Sequence, residues 1–417
     1  MVTSLHIHII GIGGCGMNGV AQLAAHAGYR VSGSDRATGL DIFQTLEKQG
    51  ITIVPQNGSG ITDQTDFVVY STAIEADNPD ILKAKKLNIP LLHRAKMLAK
   101  LCKGKEVIAV AGTAGKSTVT GLLGHIFQCL EKDPTVYCGA AINNFSSSVR
   151  FGSEDGPWIL EADESDKSFL NFHPAHAIIT NIAEDHFELS ELQKLFAQFE
   201  SQVSGITVKT PLSFNAPMQL VGKHNIENVN NALTLCNALD LDMKKCMKAV
   251  ASFKGIERRL ERHGEHVIDD FAHSPIKIKA ALEAVSGIWP EFNTVWRPHG
   301  FTPLFQGLDG FIEVFSKVWK APREDTRPTA NCRPGVPTGR LEKVFILPVY
   351  YAGGTVEKKI TSEQFVKKLQ SAGVQAEFSP DFQTLEKRLL ADGHPVLLMG
   401  ARDPELPVFA RQLAKNL

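Results

Sequence analysis

No apolar run among the 417 residues approaches the roughly 18 that a membrane-spanning helix needs, although 43% of the chain is hydrophobic. A helical membrane protein is therefore not expected. Neither sign of charge is in excess, since 44 Lys and Arg face 45 Asp and Glu. Without a global positive field to draw in nucleic acid or an anionic bilayer, partners have to be recognised locally. Cysteine is sparse. The seven present (Cys15, Cys102, Cys129, Cys138, Cys236, Cys246 and Cys332) are odd in number and include no Cys-x-x-Cys pair. That argues against a disulfide framework or a cysteine-rich zinc site, and for reduced, buried thiols. No signal-peptide pattern precedes the first apolar run, so a cytoplasmic protein is expected. Internal repeats and long low-complexity tracts are missing as well.

What is present is an alternation of short apolar runs with helical periodicity. Strands are read at His6 to Ile10, Arg30 to Gly33, Ile51 to Val54, Phe67 to Tyr70 and Pro90 to Leu92, with helices at about Gly16 to Ala27 and Leu40 to Lys48. That rhythm predicts a parallel, doubly wound sheet. A charged segment near Lys103 ends this part. A second α/β unit follows, with strands at Val107 to Ala111, Pro157 to Glu161 and Ala177 to Asn181 and an amphipathic stretch from Leu189 to Phe199. A third begins between Phe253 and Arg262, with strands at Val267 to Phe271, Val344 to Pro348 and Val396 to Met399 and a helix from Pro275 to Val285. Within it, Pro322 to Arg340 holds four prolines, two glycines and four arginines without apolar periodicity, and reads as a long exposed or disordered loop.

Two glycine-rich turns carry most of the chemistry. Gly11-Ile12-Gly13-Gly14-Cys15-Gly16 lies between a strand and a helix, with Asp35 ending the next strand. Backbone N–H groups at such a helix start hold a diphosphate and the acid takes a ribose hydroxyl, which NAD and a UDP-sugar satisfy equally. Gly112-Thr113-Ala114-Gly115-Lys116-Ser117-Thr118, again between strand and helix, ends like a phosphate loop, although Val110 stands where the general pattern has glycine. There the amides cradle phosphates, the lysine reaches the terminal ones and the hydroxyl meets Mg²⁺, so ATP is expected. The acidic run Glu161-Ala162-Asp163-Glu164-Ser165-Asp166 starts 45 residues after Lys116, where a metal-holding carboxylate belongs. Glu184-Asp185-His186 closes the following strand, and its histidine is a candidate second metal ligand. His224, Asn225 and Asn228, with Arg258-Arg259 and Asp269-Asp270, are weaker candidates for adenine, phosphate and ribose contacts.

In this order, the motifs resemble those of the Mur ligase family, the ATP-dependent amide-forming enzymes of peptidoglycan synthesis, over essentially the whole chain. The matching strings are Gly11 to Met17, Gly33-Ser34-Asp35, Tyr70 to Ile74 with Asn78-Pro79, Gly112 to Thr118, Glu161 to Phe169, Thr180 to His186, His224 to Asn228, and Arg258-Arg259 with Asp269 to His273. The family's loop is Gly-Thr-x-Gly-Lys-Thr/Ser, which accounts for Val110. The resemblance implies an α/β fold with a Rossmann-like UDP-sugar domain at 1–103, a shortened P-loop ATPase domain at 104–256 and a Rossmann-like closing domain at 257–417.

The branch most resembled adds L-alanine to the lactyl carboxylate of UDP-N-acetylmuramate through an acyl phosphate. The branch adding a short peptide is next, and a degenerate binder of UDP-sugar and ATP is a third possibility. Carried over, Lys116, Glu161, His186 and Arg259 are catalytic. Ser117, Glu161 and His186 hold Mg²⁺. Gly112 to Thr118, Asn225, Asn228, Asp270 and His273 bind ATP, and Gly11, Gly13, Gly14, Gly16, Met17, Asp35, Ser71 and Thr72 bind the UDP-sugar. Partners are these small molecules, without nucleic acid or membrane, and the expected state is a monomer or homodimer.

The chain also departs from the family's pattern. Only 35 residues lie between His186 and Gly222, fewer than the family usually has. Arg297 to Pro303 resembles Gln-Pro-His-Arg-Phe-Thr-Arg with both arginines replaced, by Gly300 and Pro303. His-His-Pro becomes His273-Ser274-Pro275, and the Pro322 to Arg340 loop is an insertion.

Overall fold

The computed structural model describes residues 4–183, 188–319, 339–351 and 358–417. They form three sheets. The first has the order β3-β2-β1-β4-β5, all parallel. Its elements are β1 (His6–Ile10), α1 (Cys15–His26), β2 (Arg30–Asp35), α2 (Asp41–Lys48), β3 (Thr52–Pro55), β4 (Phe67–Tyr70), α3 (Pro79–Lys86), β5 (Leu91–His93) and α4 (Arg94–Leu101). Central β1 is buried on both faces: Ile7, Ile9 and Ile10 are fully buried, and so is His8 between them. Asn78 starts α3 by accepting the Asp80 N–H, with Pro79 at the first helical position where no N–H is needed.

The second sheet has the order β11-β10-β6-β9-β7-β8 and is parallel except for the β7–β8 hairpin. It comprises β6 (Val107–Ala111), α5 (Lys116–Cys129), β7 (Thr135–Ile142), β8 (Ser147–Arg150), β9 (Trp158–Glu161), β10 (His176–Ile179), α6 (Leu189–Ser201) and β11 (Thr207–Val208), followed by α7 (Lys223–Ala238) and α8 (Met243–Ser252). All five residues of β6 are buried, so the phosphate-loop string that follows emerges from the middle of the sheet. One continuous apolar core runs from Ile7 and Ile9 through Tyr137 to Phe169, Phe196 and Phe199, joining the first two sheets.

The third sheet, β12-β13-β17-β14-β15-β16, is parallel apart from the β12–β13 pair. Its elements are β12 (Glu261–His263), β13 (Val267–Asp270), α9 (Pro275–Ser286), β14 (Glu291–Arg297), α10 (Phe301–Gln306), α11 (Leu308–Trp319), β15 (Arg340–Ile346), α12 (Ser362–Ser371), β16 (Ala376–Phe378), α13 (Phe382–Asp392), β17 (Val396–Gly400) and α14 (Glu405–Asn416). Helices α9, α11 and α12 cover one face, and α13 and α14 the other. Strand β14 is absent from the sequence reading: its buried Asn293 and Thr294 interrupt the apolar run. Arg340, read as the end of the exposed loop, is the first residue of β15, whereas residues 322–338 of that loop lie outside the described residues.

The chain divides into two compact units. One holds Met1–Gln219 with Glu227–Ile256, and so the first two sheets; the other holds Leu220–Ile226 with Glu257–Leu417, and so the third.

Candidate active site

The Gly112–Thr118 turn leaves β6 and enters α5. Gly115, the residue before the helix, has φ +84°, and a Cβ there would lie 2.3 Å from Asn228 Oδ1. Gly112 has φ +134° and abuts the Thr180 side chain. Both positions therefore demand glycine, for backbone conformation and for space. The end of β10 latches the loop. Asn181 Oδ1 accepts from Thr113 Oγ1 (2.6 Å) and from the Ala114 N–H (3.0 Å), while Thr180 Oγ1 donates to the Ala114 carbonyl (2.6 Å).

Lys116 Nζ donates to the Gly112 carbonyl at 2.8 Å and to Glu164 Oε2 at 2.7 Å, with Asp163 Oδ1 at 3.9 Å. Burial works against its ammonium, but Glu164, Asp163 and Glu161 outweigh it, so its pKa lies above the ordinary lysine value. Burial raises the Glu164 carboxyl more than Lys116 lowers it. Ser117 Oγ donates to Glu161 Oε1 at 3.1 Å, and Glu161 Oε2 accepts the Gly139 N–H at 2.6 Å. The acidic run thus divides its work. Glu161 faces Ser117, Glu164 faces Lys116, and Asp166 accepts the Ser168 N–H and lies 3.7 Å from Arg94 and from His93. Sequence reasoning named Glu161 but assigned no role to Glu164, Asp163 or Asn181. His186 lies outside the described residues.

At the first sheet, Gly11 has φ +72°, and the Gly13 N–H donates to Asp35 Oδ2 at 2.8 Å. Asp35 therefore braces the glycine turn from the end of β2, as well as standing where a ribose acid is expected. Gly14 N–H closes the turn on the Gly11 carbonyl at 3.1 Å. The Gly16 carbonyl accepts from Tyr137 Oη, which in turn accepts from Arg94, each at 2.9 Å. A Cβ at Gly16 would come within 2.8 Å of Arg94 Nη1. Burial pushes the Tyr137 phenol up to about 12, so it remains a neutral donor. Met17 is buried beneath the turn. Ser71 and Thr72 follow β4, and Ser71 closes a turn through its carbonyl to the Ile74 N–H.

In the second unit, Arg258 is buried, pairs with Asp269 at 3.1 Å and donates to the Gly400 carbonyl. Arg258 and Arg259 both lie over the Phe271 ring, at 5.3 and 5.2 Å. Burial lifts Asp269 to about 7 against the pull of Arg258. Asp270 accepts the Leu260 and Ala272 N–H groups at 2.9 and 2.7 Å, and burial raises its pKa. His273 lies edge-on to His299 with ring centroids 4.9 Å apart, and burial lowers it to about 4. Asn225 donates to the Val221 carbonyl at 2.7 Å.

A family profile described as "Mur ligase family, catalytic domain" matches residues 6–106. The UDP-N-acetylmuramate–L-alanine ligase of Acetivibrio thermocellus is 30% identical, covering 95% of this chain and 93% of that one. The chain belongs to the Mur ligase family. Mur ligases are ATP-dependent ligases, so ligase chemistry and ATP use come with membership. The fold agrees. The crystal structure of a UDP-N-acetylmuramate–alanine ligase from Thermotoga maritima superposes with a TM-score of 0.78 at 24% identity, covering 99% of this chain and 98% of that one. A murein peptide ligase from Psychrobacter arcticus gives 0.64 at 18% identity, with the same coverage. Among the described residues, no helix is long and apolar enough to cross a membrane.

Proposed function

We propose that this Mur ligase joins the lactyl carboxylate of UDP-N-acetylmuramate to the amine of L-alanine, with ATP converted to ADP and phosphate. The observation that carries this reading is the pairing of Lys116 with Glu164 and of Ser117 with Glu161 at the ends of adjacent strands β6 and β9, in a family whose 30%-identical member is named for that reaction. A free carboxylate acylates poorly because oxide would have to leave. Transfer of the γ-phosphoryl group to it gives an acyl phosphate, and amine attack then expels phosphate. Lys116 meets the charge that develops on the transferred group, and the Gly112–Thr118 amides hold the flanking phosphates. Asn225, Asn228, Asp270 and His273 serve the nucleotide, and Arg259 its phosphates.

The hydroxyl of Ser117 and the carboxylate of Glu161, 3.1 Å apart, are hard oxygen donors of the kind Mg²⁺ takes, and they would hold it with His186 as a further ligand. When bound, Mg²⁺ supplies charge neutralisation on the phosphates. Gly11, Gly13, Gly14, Gly16, Met17, Asp35, Ser71 and Thr72 are assigned to the UDP-sugar. The three parts are 1–103 for that sugar, 104–256 for ATP and 257–417 for closure. Both nucleotide substrates fit a cytoplasmic enzyme, acting as a monomer or homodimer.

The test is phosphate release from Mg²⁺-ATP with UDP-N-acetylmuramate, scanning L-alanine, glycine, L-serine and L-Ala-γ-D-Glu-diaminopimelate, with mass spectrometry of the product. Amide formation with L-alanine is expected. Product from the peptide alone would move the assignment to a peptide-adding ligase, and ligand binding without turnover would mark a degenerate relative. Lys116→Ala is expected to abolish ATP-dependent product while UDP-sugar binding survives.

A further inference from the structure

Strands β14 and β17 are neighbours in the third sheet, yet the chain leaves them in opposite directions. After β14 it passes through α10 and α11 on one face, and after β17 it enters α14 on the other. The gap beyond their C-terminal ends is a topological switch point, where open α/β sheets take ligands. The segment after β14 supplies His299 to that gap. The segment after β17 supplies Arg402.

Arg402 is held against its backbone preference. Its φ is +65°, and the Asp403 N–H closes a three-residue turn on the Ala401 carbonyl at 2.9 Å. That positive-φ γ-turn is rare and strained. The loop is pinned around it: Asp403, 1% exposed, binds Arg297 at 2.6 Å and accepts the Glu405 N–H at 3.0 Å. Arg297 is thereby committed to an acid. Arg402 is exposed, and no hydrogen bond or ion pair holds its guanidinium among the described residues. The carboxylate next to it in the chain, Asp403, is taken by Arg297, and Glu405 also lies 3.9 Å from Arg297. The charges of Arg402 and Lys277 both bear on His299, which burial already holds below the usual imidazole range. Burial holds both His273 and His299 low, and the cations bearing on the two rings are Lys277, Arg259 and Arg402. An exposed planar fork suits a carboxylate, which it can hold through two parallel hydrogen bonds.

We infer that Arg402 is a specificity-determining residue that pairs with the free carboxylate of the incoming amine substrate. This rests on the proposed ligase reading and names a residue for its amino-acid side. The test is steady-state kinetics of the full-length wild type, Arg402→Gly and Arg402→Lys, with L-alanine, ATP and UDP-N-acetylmuramate each varied in turn. Glycine suits the left-handed backbone, so Arg402→Gly is expected to fold with an unchanged or higher Tm. Its KM for L-alanine should rise on the order of 10- to 100-fold, the range for losing a hydrogen bond to a charged group. KM for ATP should stay within about twofold, and Arg402→Lys should recover part of the loss, since it restores the charge without the fork. An unchanged KM for L-alanine in Arg402→Gly, or a rise in the KM for ATP in its place, overturns the inference while leaving the ligase assignment standing. A wild type that forms no amide with any acceptor overturns the assignment itself, and the inference with it.

Discussion

Replacing Glu164 by glutamine separates what the phosphate-loop lysine costs the free protein from what it gives the nucleotide. Lys116 and Glu164 meet at 2.7 Å with only 13% and 2% of their side chains exposed, so the amide leaves a buried ammonium short of its main counter-charge. Removing one partner of a buried pair typically costs about 3–5 kcal/mol; with the Gly112 carbonyl and Asp163 still in place, a loss of about 2–3 kcal/mol is expected. The same change frees Lys116 for phosphate. A nucleotide bringing its own negative charge should therefore recover at least half of the loss and bind about fivefold more tightly or better, roughly 1 kcal/mol. The assay is urea denaturation of wild type and Glu164→Gln, with and without a non-hydrolysable ATP analogue and Mg²⁺, followed by hydrogen exchange at α5. Equal destabilisation in both conditions, or weaker nucleotide binding by the variant, would refute the idea that Glu164 stands in for phosphate.

Other consequences follow from the same geometry. Gly115→Ala places a methyl group 2.3 Å from Asn228 Oδ1 at φ +84°; calorimetry should show ATP binding lost and UDP-sugar binding kept. Asp35→Ala removes the brace on the Gly13 N–H and should weaken UDP-N-acetylmuramate binding about 10-fold, the scale of one charge-assisted hydrogen bond, with ATP affinity unchanged by the same titration. His273 has its pKa lowered from 6.5 to about 4, first by burial and then by nearby positive charge. A depressed folded-state pKa gives stability that is present above pH 6.5 and lost as pH falls toward 4, at most about 3 kcal/mol here. Asp269, raised to about 7, acts in the opposite sense, so the informative quantity is the difference between wild type and His273→Asn. Denaturant melts from pH 7 to 4 should converge for the two proteins as the pH falls, and a constant gap would count against a buried neutral His273.

How legible each feature was in the sequence follows from how local its cause is. Strand β6 and the turn after it are written in one contiguous string, because a fully buried central strand needs an unbroken apolar run and the turn needs glycine at two left-handed positions. The Gly11–Gly16 turn is likewise one contiguous string after β1, with Gly11 at φ +72°. Strand β14 fails that test although it is equally buried, since Asn293 and Thr294 sit at 0% exposure and break the apolar pattern. Only the assembled sheet, with the Asn293 side chain reaching Asp392 on α13, makes those residues intelligible. The acidic run behaves likewise. Its position after a strand marked it as metal-holding, but the division between Glu161 and Glu164 depends on where α5 presents Ser117 and Lys116, two residues that are adjacent in sequence and answer to different acids. Arg402 lies furthest from local legibility. Its significance needs the order of β13, β17 and β14, the opposite exits of two neighbouring strands, and the capture of Arg297 by Asp403, all of which bring together residues more than 100 positions apart. Motifs whose atoms come from one strand–turn–helix can be read from the sequence. Sites built where several strands end have to be read from the sheet, and the gap between β14 and β17 is of the second kind.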